Sequence, residues 1–274
     1  MKRIVLSLFV SLGTLTAIAQ TVAFKVNYKP LTSYNQTIVQ NTKNEVSYKA
    51  TDEILGLLEA QGIQNPTITD NKSTMTRLIS TGKLTGAEMP FTIKMSVDTG
   101  AETKFIPDNT MIYGKVKSEG VPVLDSVQAP GMDAQIKDIF LKSVQASMTE
   151  FSIPEKKVKV GETFTIDVPL SLPMGPATLN MIDKATYKLI KVEARKAYFD
   201  VTHVYTIDTE INGQQMKGTG SGSGKVVHDL DNNYFLKQDI AMTMEMGFET
   251  NGINLNIKVA TSSALTTVIT PVKK

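Results

Sequence analysis

The sequence predicts a mainly antiparallel β (α+β) protein, in which long strands form a large curved sheet or half-barrel with one main amphipathic helix and one short helix. Polar and apolar residues alternate along most of the chain, which is the period-two pattern of strands. Short turns, among them Asn212-Gly213 and Asn251-Gly252, separate long alternating stretches, so successive strands are expected to be antiparallel neighbours. The strand–helix–strand alternation of a Rossmann-type fold is missing from the pattern.

Residues 1–19 have the pattern of a cleavable secretory signal peptide. Lys2 and Arg3 precede an apolar stretch, and Ala17-Ile18-Ala19 is a small-x-small cleavage site. A spanning helix needs about 20 apolar residues, and this stretch is too short and too rich in Ser, Thr and Gly to be an anchor. We therefore expect cleavage after Ala19 and a soluble product, without a transmembrane anchor, in the periplasm or outside the cell.

The composition excludes several classes of function. The sequence has no Cys, which rules out thiol catalysis, Fe–S clusters and Cys-ligated zinc. Its 29 Lys and Arg exceed its 27 Asp and Glu, but the signal peptide contributes two of the basic residues. The processed chain is therefore neutral and gives no reason to expect nucleic acid as a partner. We expect one β-rich domain over residues 20–274, with a division near 150–160 as the alternative.

The N-terminal half is expected to contain six strands and two helices. A short helix should begin after Thr51, whose hydroxyl can cap it, and end at Gly62. The main helix is expected over 131–148, where apolar residues recur at three- and four-residue intervals. The strand patterns cover 22–28, 34–48, 73–79, 91–97, 103–106 and 111–117.

The C-terminal half is expected to begin with an irregular loop and to continue as a meander of long strands. The loop is predicted from the cluster of Pro169, Pro173 and Pro176. Turn residues then separate five alternating stretches. These lie at about 178–191, 196–208, 213–228, 233–249 and 252–268.

Two strand faces carry candidate ligand contacts, because both are apolar and contain Met. Methionine is flexible and polarizable, and it is over-used on apolar surfaces that accommodate varied partners. One interpretation is the lining of a cavity for a hydrophobic small molecule or lipid; the other is a packed core against the 131–148 helix. The predicted contacts are Phe91, Ile93, Met95, Met242, Met244, Met246 and Phe248, together with Gly220 and Gly222.

A run of alternating glycines, Gly218 to Gly224, places bare backbone on one face of a predicted strand. Such a strip allows strong sheet bending, or the close approach of a bulky neighbour or ligand. It does not match a dinucleotide-binding loop, because Ser223 stands where that pattern needs Gly and no helix follows. A flexible linker is disfavoured because strand patterns flank the run on both sides.

The sequence predicts no catalytic residues, no metal site and no cofactor, and hence a protein that is not an enzyme. His203 lies within an alternating stretch and is expected to be a packed strand residue. His228 lies beside Asp229 and Asp231 at a predicted turn, but one His with two Asp falls short of a convincing metal site.

Several local patterns resemble an uncharacterised family of exported proteins of Gram-negative bacteria, a domain of unknown function. They are Phe24-Lys25-Val26-Asn27-Tyr28 with Tyr34-Asn35-Gln36-Thr37, Ile153-Pro154 with Val158 to Phe164, Ala185 to Leu189 with Ala197 to Val201, and the alternating glycines with Asp231-Asn232-Asn233-Tyr234-Phe235. The layout is also similar, at the level of fold, to periplasmic lipoprotein carriers, whose curved half-barrels hold acyl chains. That likeness implies no particular residue, since fold alone does not fix function.

Two functions remain open from the sequence. The first is a soluble exported or periplasmic protein that binds an apolar, lipid-like ligand in its curved sheet. The second is a non-catalytic structural or interaction module of the cell envelope, with an envelope protein as its partner. A continuous cavity beneath Met242, Met244 and Met246 would favour the first.

Overall fold

The computed structural model describes residues 21–100, 106–117, 120–149, 155–174, 177–211, 214–250 and 252–272. The helices are α1 (Asp52–Ala60) and α2 (Ala134–Thr149). The strands are β1 (Thr21–Phe24), β2 (Thr32–Lys49), β3 (Thr67–Thr81), β4 (Glu88–Asp98), β5 (Thr110–Lys117), β6 (Val123–Gln128), β7 (Lys156–Lys159), β8 (Thr163–Met174), β9 (Ala177–Glu193), β10 (Lys196–Ile211), β11 (Gln214–Asp229), β12 (Tyr234–Thr250) and β13 (Ile253–Pro271).

One large antiparallel sheet dominates the fold, which confirms the predicted fold class. Its 11 strands follow the order β6-β5-β4-β3-β2-β13-β12-β11-β10-β9-β8. Strand β1 pairs separately with β7 in a two-stranded ribbon. Within the described residues the sheet is open, because β6 and β8 form its two edges.

Two meanders make up this sheet, and the pairing of β2 with β13 joins them. Strands β2 to β6 follow one another in the first meander, and β8 to β13 do so in the second. The joining pair runs from Thr32 opposite Pro271 to Lys49 opposite Asn254. Strands from before and after residues 150–160 therefore share one sheet.

The long C-terminal strands and the short helix lie where the sequence predicts them. The predicted turn at Glu193–Arg195 is a tight hairpin, in which Ala194 and Arg195 have φ of 47° and 60°. Helix α1 begins as expected, with the Thr51 hydroxyl accepting a hydrogen bond from the Ile54 N–H at 3.5 Å.

Other expectations need correction. The irregular loop predicted from the prolines is wrong at Pro169 and Pro173, which lie in β8 opposite Ile182 and Thr178. Strand β8 is at the sheet edge and pairs with β9 alone, so a proline whose nitrogen points away from β9 interrupts no hydrogen bond. Pro176 lies outside the described residues. The short strands β6 and β7 were not predicted. The strand predicted at 103–106 falls largely outside the described residues.

The main helix begins at Ala134 rather than at Gly131. Gly131 has φ of 78°, a left-handed conformation that precedes the helix. The Asp133 carboxylate then accepts a hydrogen bond from the Gln135 N–H at 2.8 Å. This is the usual way in which a short acidic side chain satisfies a free N–H at the start of a helix.

Helix α2 packs near both edges of the sheet. It contacts β6 at one edge and β8 at the other. At the β6 edge, the Gln145 side chain accepts a hydrogen bond from the Leu124 N–H at 2.8 Å and donates one to the Pro122 carbonyl at 2.9 Å. The sheet must therefore curve strongly for its two edge strands to meet the same helix.

The curved sheet has an inner face, which carries Tyr34 of β2, Ile79 of β3 and Met244 of β12, and an opposite outer face. Buried apolar residues form three clusters on the inner face. The first includes Phe140 and Met148 of α2, and the second includes Phe24 of the β1–β7 ribbon. The third, which we name the far cluster, is built from β8 to β13 alone: Leu179, Met181, Tyr205, Ile207, Met216 and Met246, with Leu170, Met242, Met244, Phe248, Ile257 and Val259 at its margin.

The predicted signal peptide and its cleavage site lie outside the described residues. Among the residues that are described, neither helix has the length and apolar character needed to cross a membrane.

Candidate functional site

The alternating glycines of β11 lie on the inner face, directly beside the methionines of β12. Gly222 is paired with Met242, Gly220 with Met244 and Gly218 with Met246. A Cβ atom added at Gly220 would lie 2.6 Å from Met244 Cγ, and one added at Gly218 would lie 2.7 Å from Met246 Cβ. The glycine strip therefore accommodates the close approach of bulky neighbours, and those neighbours are the predicted methionines.

The same strip lets the sheet bend. Cα atoms of β10 and β12 approach within 8 Å of each other across β11. In a flat sheet they would be about 9.6 Å apart, which is twice the usual strand spacing. Side chains on the inner face would obstruct such a bend, and Gly218 to Gly224 leave the inward-facing positions in the middle of β11 without them.

The two predicted methionine faces lie in different surroundings. Phe91, Ile93 and Met95 are buried in the first cluster, to which Phe140 and Met148 of α2 also belong. This placement agrees with the packed-core interpretation, and a ligand role for these three residues stays a prediction. Met242 and Met244 belong to the margin of the far cluster and are only half-buried.

The described residues at the centre of the far cluster are packed together. Its central residues are enclosed by one another, with Ile207 only 1% exposed and Met246 7% exposed. Its margin consists of half-buried apolar side chains on β12 and β13, namely Met242, Met244, Phe248, Ile257 and Val259. Among the residues that the structure describes, neither helix nor the β1–β7 ribbon contributes to this cluster.

His203 lies on the inner face beside this region, opposite Gly222 of β11. Its Nδ1 donates a hydrogen bond to Asp183 Oδ2 at 2.9 Å, and both side chains are largely buried. The imidazole stacks on Tyr205, with ring centroids 5.8 Å apart, and burial beside Asp183 raises the pKa of Tyr205. His203 is thus a packed strand residue, as predicted. Its Nε2 has no hydrogen-bond partner among the described residues, so no hydroxyl is paired with this imidazole.

His228 does not form a site with the neighbouring acids. It lies in β11 with its ring 4.9 Å from that of Phe24 and 5.7 Å from that of Phe235. Burial lowers the pKa of His228 to about 4. The Asp229 carboxylate instead accepts hydrogen bonds from the N–H groups of Asp231 and Asn232, which shapes the turn. Within the described residues no group of acids and histidines is arranged to hold a metal ion.

A groove crosses the outer face from β3 to β11. It includes hollows of about 720, 550 and 710 Å³ that adjoin one another. Small side chains form its floor, including Ser221, Thr243 and Ala260, while Lys43 and Asp70 stand at one end. The described hollows beside the methionine strand therefore open mainly on the face opposite the methionine side chains.

Arg77 is a candidate that the sequence analysis missed. It lies on β3 opposite Gln36 and Met95, and so faces inward. Its Nε atom is enclosed and has no hydrogen-bond partner among the described residues. The signal was its position, since Met75 and Ile79 on either side of it in the alternation are apolar and an arginine at such a position must be buried.

Comparisons with known proteins assign no family. No family model matches the chain, and no curated protein matches it. Among solved structures, the outer membrane protease OmpT from Escherichia coli is 8% identical, and the match covers 89% of this chain and 99% of that chain. The TM-score of 0.17 is too low to support any argument about this protein.

Proposed function

We propose that this protein is an exported binding protein that carries an apolar, lipid-like ligand on the inner face of its curved sheet. The observation that carries the proposal is the contrast among the three apolar clusters. Two of them are covered by α2 or by the β1–β7 ribbon, whereas the far cluster is built from sheet strands alone. An apolar ligand would supply the missing cover.

The margin of the far cluster is suited to such a ligand. Met242, Met244 and Phe248 on β12 lie beside Ile257 and Val259 on β13, and all five are half-buried. Methionine side chains adapt their shape at little cost, which allows a flexible chain to insert among them. Burying apolar ligand surface contributes about 25 cal/mol per Å², so a long acyl chain gains much from this contact.

Export to the periplasm or the cell exterior is part of the proposal, and it is supported by the signal-peptide pattern at residues 1–19. The resemblance to an exported family of unknown function is a further part of it. The proposal assigns no catalytic role.

Native mass spectrometry of the protein purified from its own host should show a bound lipid. Met244→Lys, which places a charge in the margin of the far cluster, should abolish uptake of a fluorescent fatty acid. The matched control is Thr243→Lys, because Thr243 is the adjacent residue on the outer face and should leave uptake unchanged. A ligand-free mass together with no uptake by the wild type would contradict the proposal.

The outer-face groove favours a second candidate, a non-catalytic structural or interaction module of the cell envelope. Its floor of small side chains leaves room for a partner segment across five strands. In this case Thr243→Lys, not Met244→Lys, should remove a partner captured by cross-linking in intact cells. Recovery of the monomer alone would count against this candidate.

A further inference from the structure

Arg77 places a half-buried positive charge on the inner face of the first meander, and no described residue is its counter-ion. Arg77 stands on the inner face of β3, with Gln36 of β2 on one side and Met95 of β4 on the other. Its Nε is enclosed and makes no hydrogen bond to any described residue. Burial lowers the pKa of Arg77, but a guanidinium stays protonated in proteins, so the charge persists.

Polar groups surround this guanidinium without neutralising it. The Gln36 amide donates long hydrogen bonds, each of 3.4 Å, to the hydroxyl oxygens of Tyr234 and Thr267. The Gln36 Oε1 atom is buried and unpartnered among the described residues. Burial raises the pKa of both Tyr28 and Tyr234, so their hydroxyls remain protonated. The Tyr28 hydroxyl donates a long hydrogen bond to Met148 Sδ at 3.9 Å, and a thioether is a weak acceptor that an anionic oxygen would replace.

No carboxylate of the strands around Arg77 faces it. Side chains alternate between faces, and the register places every acidic residue of β2, β3, β4 and β12 on the outer face. Strands β5 and β13 contain no acid at all. The outward-facing acids are Glu45, Asp70, Glu88, Asp98, Asp239, Glu245 and Glu249.

A buried charge is costly unless it is paired, and pairing with an anionic group removes most of that cost. The planar guanidinium fork matches carboxylate and phosphate oxygens, and hydroxyl groups can donate to the same oxygens. We propose that Arg77, with Tyr28 and Tyr234 as additional donors, binds the carboxylate or phosphate headgroup of an amphiphilic ligand. This inference rests on the proposed function, in which the inner face carries the apolar part of that ligand.

The distance between the two parts of the site fits a long-chain amphiphile. Arg77 is level with Thr267 of β13, whereas Met242 is level with Thr261. Six residue steps separate these levels, which is about 20 Å along the strand direction. Strands β3 and β12 are also three positions apart in the sheet, so a long acyl chain would cross the curved inner face as it runs between the two levels. Ser263 and Leu265 occupy the inner face of β13 between the two levels, so no charge lies on that strand along the path.

The test measures displacement of a fluorescent fatty acid by three compounds with the same chain: hexadecanoate, hexadecyl phosphate and hexadecanol. The wild type should bind at least one of the two anions at least about tenfold more tightly than the alcohol, and the stronger anion identifies the headgroup. Arg77→Met should lose this preference. The difference in binding free energy between anion and alcohol should then decrease by about 1.4 kcal/mol or more, which corresponds to the tenfold ratio. Arg195→Met is the matched control, because Arg195 is exposed and paired with Asp231 at a surface turn.

The ligand-free Arg77→Met variant should also unfold at a higher denaturant concentration than the wild type, because an unpaired buried charge has been removed. If that variant fails to fold, Arg77→Gln provides the same binding comparison. Equal binding of acid and alcohol by the wild type would overturn the headgroup assignment and leave apolar carriage intact. An anion preference retained without Arg77 would also overturn it. Binding of none of the three compounds would refute carriage itself, and the headgroup assignment with it.

Discussion

Replacing Gly218 by alanine tests whether the glycine strip is required for the curvature of the sheet. The added Cβ would lie 2.7 Å from the Glu245 carbonyl oxygen, 2.7 Å from Met246 Cβ and 3.0 Å from Met246 Cα. All three atoms belong to the backbone or to the stiff base of a side chain, so β12 itself must move. Overpacking of this kind costs about 1–3 kcal/mol.

A smaller effect opposes this cost. Alanine restricts the unfolded chain more than glycine does, which stabilises the folded state by about 0.4–1 kcal/mol. The net expectation for Gly218→Ala is a loss of about 1–2 kcal/mol in the free energy of unfolding. For a chain of this length, that corresponds to a decrease in Tm of about 2–8 °C.

Equilibrium denaturation, followed by far-UV circular dichroism, measures the change. The control is Gly56→Ala in α1, where an added Cβ would meet nothing within 4 Å. That substitution should raise stability by about 0.5–1 kcal/mol, because alanine is the better helix former. If Gly218→Ala proved as stable as the wild type while Gly56→Ala gave its expected gain, the inference that the strip permits bending would be refuted.

The remaining predictions concern the two histidines. His228 has a pKa of about 4 when folded and about 6.5 when unfolded, so the unfolded state binds the proton more readily between these values. The contribution of neutral His228 to the free energy of unfolding is therefore fully present above about pH 6.5. The free energy of unfolding should fall by about 3 kcal/mol on going from pH 7 to pH 4. Denaturant titrations at both pH values should show a clearly smaller loss for His228→Phe; an equal loss would contradict this origin. For the buried His203–Asp183 pair, Asp183→Ala should cost about 1–3 kcal/mol. A double-mutant cycle with His203→Ala should then give a favourable coupling energy, and a coupling near zero would show that the pair contributes nothing.

The long hairpins could be predicted from the sequence because their signals are local. Alternation identified β9 to β13 almost to their ends, and the glycines from Gly218 to Gly224 were placed on one face by their spacing alone. The short helix was predicted from Thr51 and Gly62 for the same reason. In each case, the residues that specify the element lie within it or directly next to it.

The errors occur where the deciding partner is distant in sequence. Pro169 and Pro173 favoured a loop, but an edge strand tolerates proline, and only the complete strand order shows that β8 is at the edge. The two methionine faces looked alike in the sequence. Phe91, Ile93 and Met95 share a cluster with α2, whereas no described residue of α2 belongs to the far cluster, and such packing cannot be derived from periodicity.

The sequence by itself determined which residues share a face, because side chains alternate strictly along a strand. It could not determine what lies opposite each face. The pairing of β2 with β13, the approach of Met244 to Gly220 and the isolation of Arg77 from every inward-facing carboxylate all depend on long-range register. The candidate site was decided by the tertiary structure, since both the uncovered far cluster and the unpaired guanidinium are defined by neighbours that are far away in the chain.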